Sequence, residues 1–105
     1  MGTPVDVCND LDFESVVLQK SRPTFVMFCA TWSGPSKEMA MKFKQAARSC
    51  SADVGFVMLD VDESPQMAQR FEVTNVPTTC VFKNGTVVAT LANNAQLTAF
   101  IDRNI

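Results

Sequence analysis

"PTFVMFCATWSGPSKEMAMKFKQAARS", residues 23–49, is the stretch on which the architecture turns. It opens with Pro23 to Ala30, a nearly unbroken apolar run of strand length. Such a run is the pattern of a strand covered on both faces, and so of a strand central to its sheet. After Trp32 the period changes. Pro35 suits the first turn of a helix, where its missing N–H is no loss, and Met39, Phe43, Ala46 and Ala47 then share one face with lysines on the other. A central strand therefore feeds directly into a helix.

Working outward, "VDVC" at Val5 to Cys8 alternates as a short strand. An Asn9–Asp10 cap and a helix burying Phe13, Val16 and Val17 are expected to follow. "GFVMLDV", Gly55 to Val61, predicts a second buried strand, and Ser64–Pro65 the cap and first residue of a short helix reaching Phe71. "VPTTCVF" and "TVVATL" flank Asn84–Gly85, the strongest short hairpin signal. "NNAQLTAFIDRNI" predicts a closing amphipathic helix with Leu97, Phe100, Ile101 and Ile105 on its apolar side. The order is β-α-β-α-β-α-β-β-α. It predicts an α/β fold: a central five-stranded mixed sheet flanked by about four helices, with a C-terminal β-hairpin plus helix. At 105 residues the whole chain, 1–105, is expected to be a single domain.

A formal net charge of -2 and a pI near 4.9 leave no electrostatic footprint for nucleic acid. No apolar run approaches the roughly 20 residues that cross a bilayer, so no membrane partner is expected. The opening "MGTPVDVCND" has neither the basic region nor the apolar core of a secretion signal. The four cysteines, Cys8, Cys29, Cys50 and Cys80, stand singly, and the chain has no histidine. No metal and no cofactor are expected from that set, and the thiols are expected to be mostly buried and reduced. Cys50, at a helix end, is the one expected to be most exposed.

"ATWSGPSK" at Ala30 to Lys37 resembles the A-x-W-C-G-P-C-K segment of the thioredoxin family. "VPT" at Val76 to Thr78 resembles its cis-proline segment, "FKNG" at Phe82 to Gly85 its hairpin, and "DVDE" at Asp60 to Glu63 follows the third strand in the expected place. Four motifs in order, at the family's separations, make the resemblance specific over nearly the whole chain. It implies the thioredoxin fold and dithiol-disulfide exchange with protein substrates. By position, Ser33 stands for the attacking cysteine and Ser36 for the resolving one. Thr31, Trp32, Gly34, Pro35, Asn75, Val76, Pro77, Leu91 and Ala92 are implied as the substrate groove. A cis bond before Pro77 is expected, leaving the Val76 backbone free to pair with an extended peptide. Trp32, just before the helix start, is expected to cover the groove rather than enter the core.

Two serines cannot run that chemistry. An alcohol is far from ionised at neutral pH and forms no reversible equivalent of a disulfide, so the redox couple is missing rather than weakened. Ser33 as a hydrolytic nucleophile would need a base, and with no histidine only Lys37, one helical turn on, stands near. Helix capping, by Ser33 or by Ser36, is the simpler role. Two further positions depart from the family together: its buried acid, six residues before the nucleophile, is Met27 here, and the partner lysine is Met58. The segment "ATLANNAQL" is also shorter than the family's and lacks its glycine.

The chain as written is therefore expected to be redox-inactive. Serine at both thiol positions, with Gly34–Pro35 intact, fits an engineered Cys-to-Ser form of an active thioredoxin. Met27, Met58 and the short loop fit the alternative, a naturally redox-inactive binding or chaperone module using the groove of Trp32 and Pro77. The partners expected are protein substrates with disulfides or extended peptide clients, with a thioredoxin reductase for a cysteine-bearing parent. A cytoplasmic monomer is expected, an organelle matrix being the other compartment that fits. Cys29 and Cys80, on neighbouring strands, raise the question of a substitute redox pair, against which stand their apolar surroundings.

Overall fold

The computed structural model describes residues 3–50, 52–92 and 96–105. Five strands, β1 (Val5–Cys8), β2 (Thr24–Cys29), β3 (Gly55–Asp60), β4 (Thr78–Lys83) and β5 (Thr86–Leu91), form one sheet in the order β1-β3-β2-β4-β5. β1 and β2 run parallel to β3, while β4 lies antiparallel to β2 and β5 antiparallel to β4. The apolar run at Thr24–Cys29 is thus the middle strand, buried along its length except at Cys29. Asn84 (φ 52°) and Gly85 (φ 78°) both take the left-handed conformation that a two-residue hairpin needs, and they join Lys83 to Thr86.

Helices cover both faces. On one, α1 (Gly34–Ser49) and α3 (Leu97–Arg103) pack Met39, Phe43, Ala47, Leu97, Phe100 and Ile101 against Phe25, Met27, Phe56 and Val81. Phe56 stacks on Phe25 and meets Phe43 edge-on, both at 5.3 Å between ring centres. On the other face, Phe13 and Val17 join Val26, Phe28, Val57, Leu59, Cys80 and Phe82, with Met67 and Phe71 of the α2 (Pro65–Arg70) segment alongside. Each fully buried phenylalanine contributes roughly 1.5–3 kcal/mol, so these two clusters hold the sheet between its helices.

Three local expectations are corrected. The segment after β1 is a single π-helical turn, Glu14–Leu18, rather than an α-helix. So short a piece gains too little from its own hydrogen bonds to hold a helix; the anchoring of Phe13 and Val17, both essentially inaccessible, shapes it instead. Ser64 occupies the position before α2 but its hydroxyl makes no capping bond. The carboxylate of Asp10, far away in sequence, accepts from Gln66 N (3.2 Å) and Met67 N (3.0 Å) and takes over the cap. Ile105, expected on the apolar face, lies beyond α3 and is 51% exposed. Residues 93–95 of the predicted closing helix, and so the middle of the short loop, lie outside the described residues.

Candidate functional site

The register brings the quoted motifs together. Phe28 pairs with Thr78, Cys29 with Asp60, and Thr79 with Leu91, so the segments after β2 and β3, the residues before β4 and the end of β5 meet along one edge of the sheet. Val61 N donates to Cys29 O (2.9 Å), tying two of these segments directly.

Ser33 is the residue at which extended backbone (φ -94°, ψ 116°) becomes helix, and its Oγ accepts from Ser36 N at 3.1 Å. That is the capping role, filling one of the orphan donors of the first turn. Ser36 is almost fully buried, and its Oγ accepts from Ala30 N at 3.2 Å, stitching the end of the β2 segment to the helix. Ser33 N donates to Ala30 O (3.2 Å) and Lys37 N to Ser33 O (3.1 Å), so the loop closes on itself. Gly34 and Pro35 are exposed at its tip, as is Thr31. The bond between Ala30 and Ser36 was not foreseen from sequence; its only trace there is a serine three residues after a capping serine.

Trp32 is 70% exposed, and its indole Nε1 donates to Asp62 Oδ2 at 2.8 Å. Asp62 N in turn donates to Asp60 Oδ1 at 2.8 Å. The ring is thus kept out of the core with its polar edge satisfied. Asp62 as its partner was legible only as part of "DVDE". Across the edge, the Val76–Pro77 bond is cis, Pro77 is buried and Val76 half-buried. Asn75 is exposed, its carbonyl accepting from Thr78 Oγ1 at 2.7 Å. Val76 makes no backbone hydrogen bond among the described residues. Leu91 ends β5 half-buried and Ala92 is exposed beside it. A cleft of about 400 Å³ opens next to Asn75 and Ala92, while a larger one of about 830 Å³ lies elsewhere, between α1 and α3.

Below this edge, Met27 faces Met58 on one side and Thr79 on the other. Met27 is inaccessible, and Met58 packs against the same cluster. Two apolar side chains in register leave no stranded charge. The Thr79 hydroxyl, also buried, finds no hydrogen-bond partner among the described residues.

The cysteines do not replace the missing pair. Cys29 lies with Phe25 and Met27 on the α1 face, whereas Cys80 pairs with Val26 and lies in the opposite cluster, so the sheet separates them. Burial first, then Asp60, pushes the Cys29 thiol up to about 11, with Lys44 acting the other way. Burial, then Asp12, Asp10 and Asp6, pushes Cys8 up to about 12, and burial raises Cys80 against the opposing effect of its hydrogen bond with Thr90. Cys50, expected to be the most exposed, is half-buried like Cys29. Among the described residues, no three His, Cys, Asp or Glu side chains are grouped to hold a metal ion, and no helix is long and apolar enough to cross a membrane.

The sequence profile of the thioredoxin family matches residues 4–103, spanning every strand and helix of this site. The chain belongs to the thioredoxin family. Thioredoxin of Haemophilus influenzae is 37% identical over 100 residues, covering 92% of this chain and 94% of its own. The crystal structure of Malassezia sympodialis thioredoxin (Mala s 13) superposes with a TM-score of 0.86 at 32% identity, covering 99% of this chain and 92% of that one. A bifunctional thioredoxin reductase/thioredoxin of Mycobacterium leprae is 36% identical over 84 residues, which are 80% of this chain and 18% of the relative. A disulfide-reductase kind of function goes with membership of this family, and protein substrates and a thioredoxin reductase are the partners that thioredoxins imply.

Proposed function

We propose that the chain offers a thioredoxin-type groove to extended polypeptides without exchanging disulfides with them, as a Cys-to-Ser form of an active thioredoxin. The observation that carries this reading is the use made of the two serines. Ser33 Oγ caps α1 and Ser36 Oγ binds Ala30 N, each serving the structure of the loop. Exchange needs a thiolate to attack one sulfur of the substrate disulfide, forming a new S–S bond as the other sulfur leaves, and a second thiol to release the product. Neither hydroxyl supplies that electron pair at neutral pH, and no histidine is present to take its proton.

The rest of the groove remains suited to a client. Trp32 is open, the Val76 backbone has no partner among the described residues, and Thr31, Gly34, Pro35, Asn75 and Ala92 are accessible. An extended segment pairing with Val76 beside the indole uses main-chain hydrogen bonds for affinity, the mode of strand addition. Disulfide-bearing proteins are then bound as polypeptides, and a thioredoxin reductase serves only a form with cysteines. The packed Met27–Met58 pair favours a second reading, a binding or chaperone module that abandoned catalysis naturally.

Insulin-disulfide reduction with dithiothreitol tests the first reading, comparing the chain with its Ser33→Cys/Ser36→Cys variant. The expected result is no protein-dependent turnover by the chain and turnover by the variant. Turnover by the chain itself would overturn the reading. Inactivity of both, with the variant folded, would favour the second one.

A further inference from the structure

The end of β3 and the loop after it carry three carboxylates, of which Asp62 contacts the open indole. Asp62 holds Trp32 Nε1, Asp60 braces Asp62 N, and Glu63 follows, exposed. None of the three is ion-paired among the described residues, whose ion pairs, Arg22–Asp53 and Lys42–Glu38, lie elsewhere. Thr31, Asn75, Val76, Pro77 and Ala92, the other groove residues, carry no charge. The cations of the neighbouring elements are Lys37, in the first turn of α1, Lys44, which acts on Cys29, and Arg70, which lines the cleft beside Asn75 and Ala92 together with Glu72. The chain as a whole is also negative, with a formal charge of -2.

We propose that this surface selects extended polypeptides carrying a lysine or arginine next to the residue seated in the groove, the cation lying over the Trp32 ring within reach of Asp62 and Glu63. This rests on the groove reading above and adds the chemistry of its client. An indole is the best aromatic face for a cation. With its N–H already held by Asp62 and 70% of its surface open, the ring has its faces to offer. Carboxylates at the rim steer a cationic segment in and repel an anionic one, a selection that acts through charge and so fades with salt. Main-chain pairing at Val76 is indifferent to side-chain charge; the acidic flank is what distinguishes one extended segment from another.

The test uses capped, extended peptides identical except for the residues flanking a central leucine, which are Lys, Gln or Glu. Binding is read from the fluorescence of Trp32, the single tryptophan, and from backbone amide shifts. The Lys peptide is expected to bind tightest and the Glu peptide weakest, about tenfold apart at low ionic strength. The gap should close towards 1 M salt, where the screening length is about 3 Å. The Asp62→Asn/Glu63→Gln variant keeps an oxygen for the indole N–H and should bind the three peptides within about twofold of one another. Equal binding of all three peptides with Trp32 responding overturns the charge selection and leaves the groove reading intact. No response of Trp32 to any peptide removes both. A lysine preference that survives in the variant overturns the assignment to these carboxylates.

Discussion

Replacing Asp10 by alanine should destabilise the protein more than replacing Ser64, although Ser64 is the residue at the start of α2. Asp10 Oδ1 and Oδ2 accept from Met67 N and Gln66 N at 3.0 and 3.2 Å. Asp10→Ala strands both. Gln66 is exposed and regains water, whereas Met67 is half-buried and regains less. Losing a capping carboxylate costs about 1 kcal/mol, with a range of roughly 0.5–2, and a hydrogen bond to a charged group lies at about 1.5–3. A loss of about 1.5 kcal/mol follows, or roughly 6–12 °C in Tm at the ~4–8 °C per kcal/mol of domains this size. Ser64→Ala removes a hydroxyl that is fully buried and has no partner among the described residues, so its effect should be near zero or slightly stabilising. Urea unfolding of the two variants beside the parent, with equal m-values, decides. A large loss for Ser64→Ala together with none for Asp10→Ala would refute the capping in trans and restore the local cap.

Ser36→Ala should cost about 1–3 kcal/mol, because the buried N–H of Ala30 loses its acceptor; urea unfolding that matched the parent would show that this bond is dispensable. Glu72 follows α2 with φ 56°, while Val73 N reaches back to Ala68 O at 2.8 Å, the left-handed ending that favours glycine. Glu72→Gly should therefore stabilise by roughly 0.5–1 kcal/mol in the same assay, the relieved strain outweighing the added freedom of the unfolded chain. The buried thiols give a pH dependence. The folded state raises Cys29 and Cys8 from the ordinary 9.0 to about 11 and about 12, favouring the neutral form. Their contribution to stability is present below pH 9 and is lost as pH rises through 11 and 12. Native Cys29 should also alkylate at pH 8 about a hundredfold more slowly than in urea, followed by mass spectrometry; equal rates would show that the thiol is not held neutral.

The patterns that survive any packing were open to reading in one dimension. An apolar run at Pro23–Ala30 cannot be satisfied at an edge, and Asn84–Gly85 admits few conformations but a tight hairpin, so the sheet's middle strand and its closing pair were legible. A cap from Ser33 or Ser36 was legible for the same reason, since capping depends on neighbours within three residues, and the structure gives it to Ser33. Contacts made across the chain were not. The partnership of Trp32 with Asp62, thirty residues on, the reach of Asp10 to α2, and the separation of Cys29 from Cys80 by the sheet all depend on register and layer. The segment at Phe13 took a π-helical turn because two anchored side chains outweighed its own weak helical preference. Sequence by itself determined the order of elements, the family and the absence of a dithiol at positions 33 and 36, because these are local and chemical facts. The tertiary structure decided which polar groups those serines, the indole and the helix ends would find, because a hydrogen bond is settled by distance in space and not by distance along the chain.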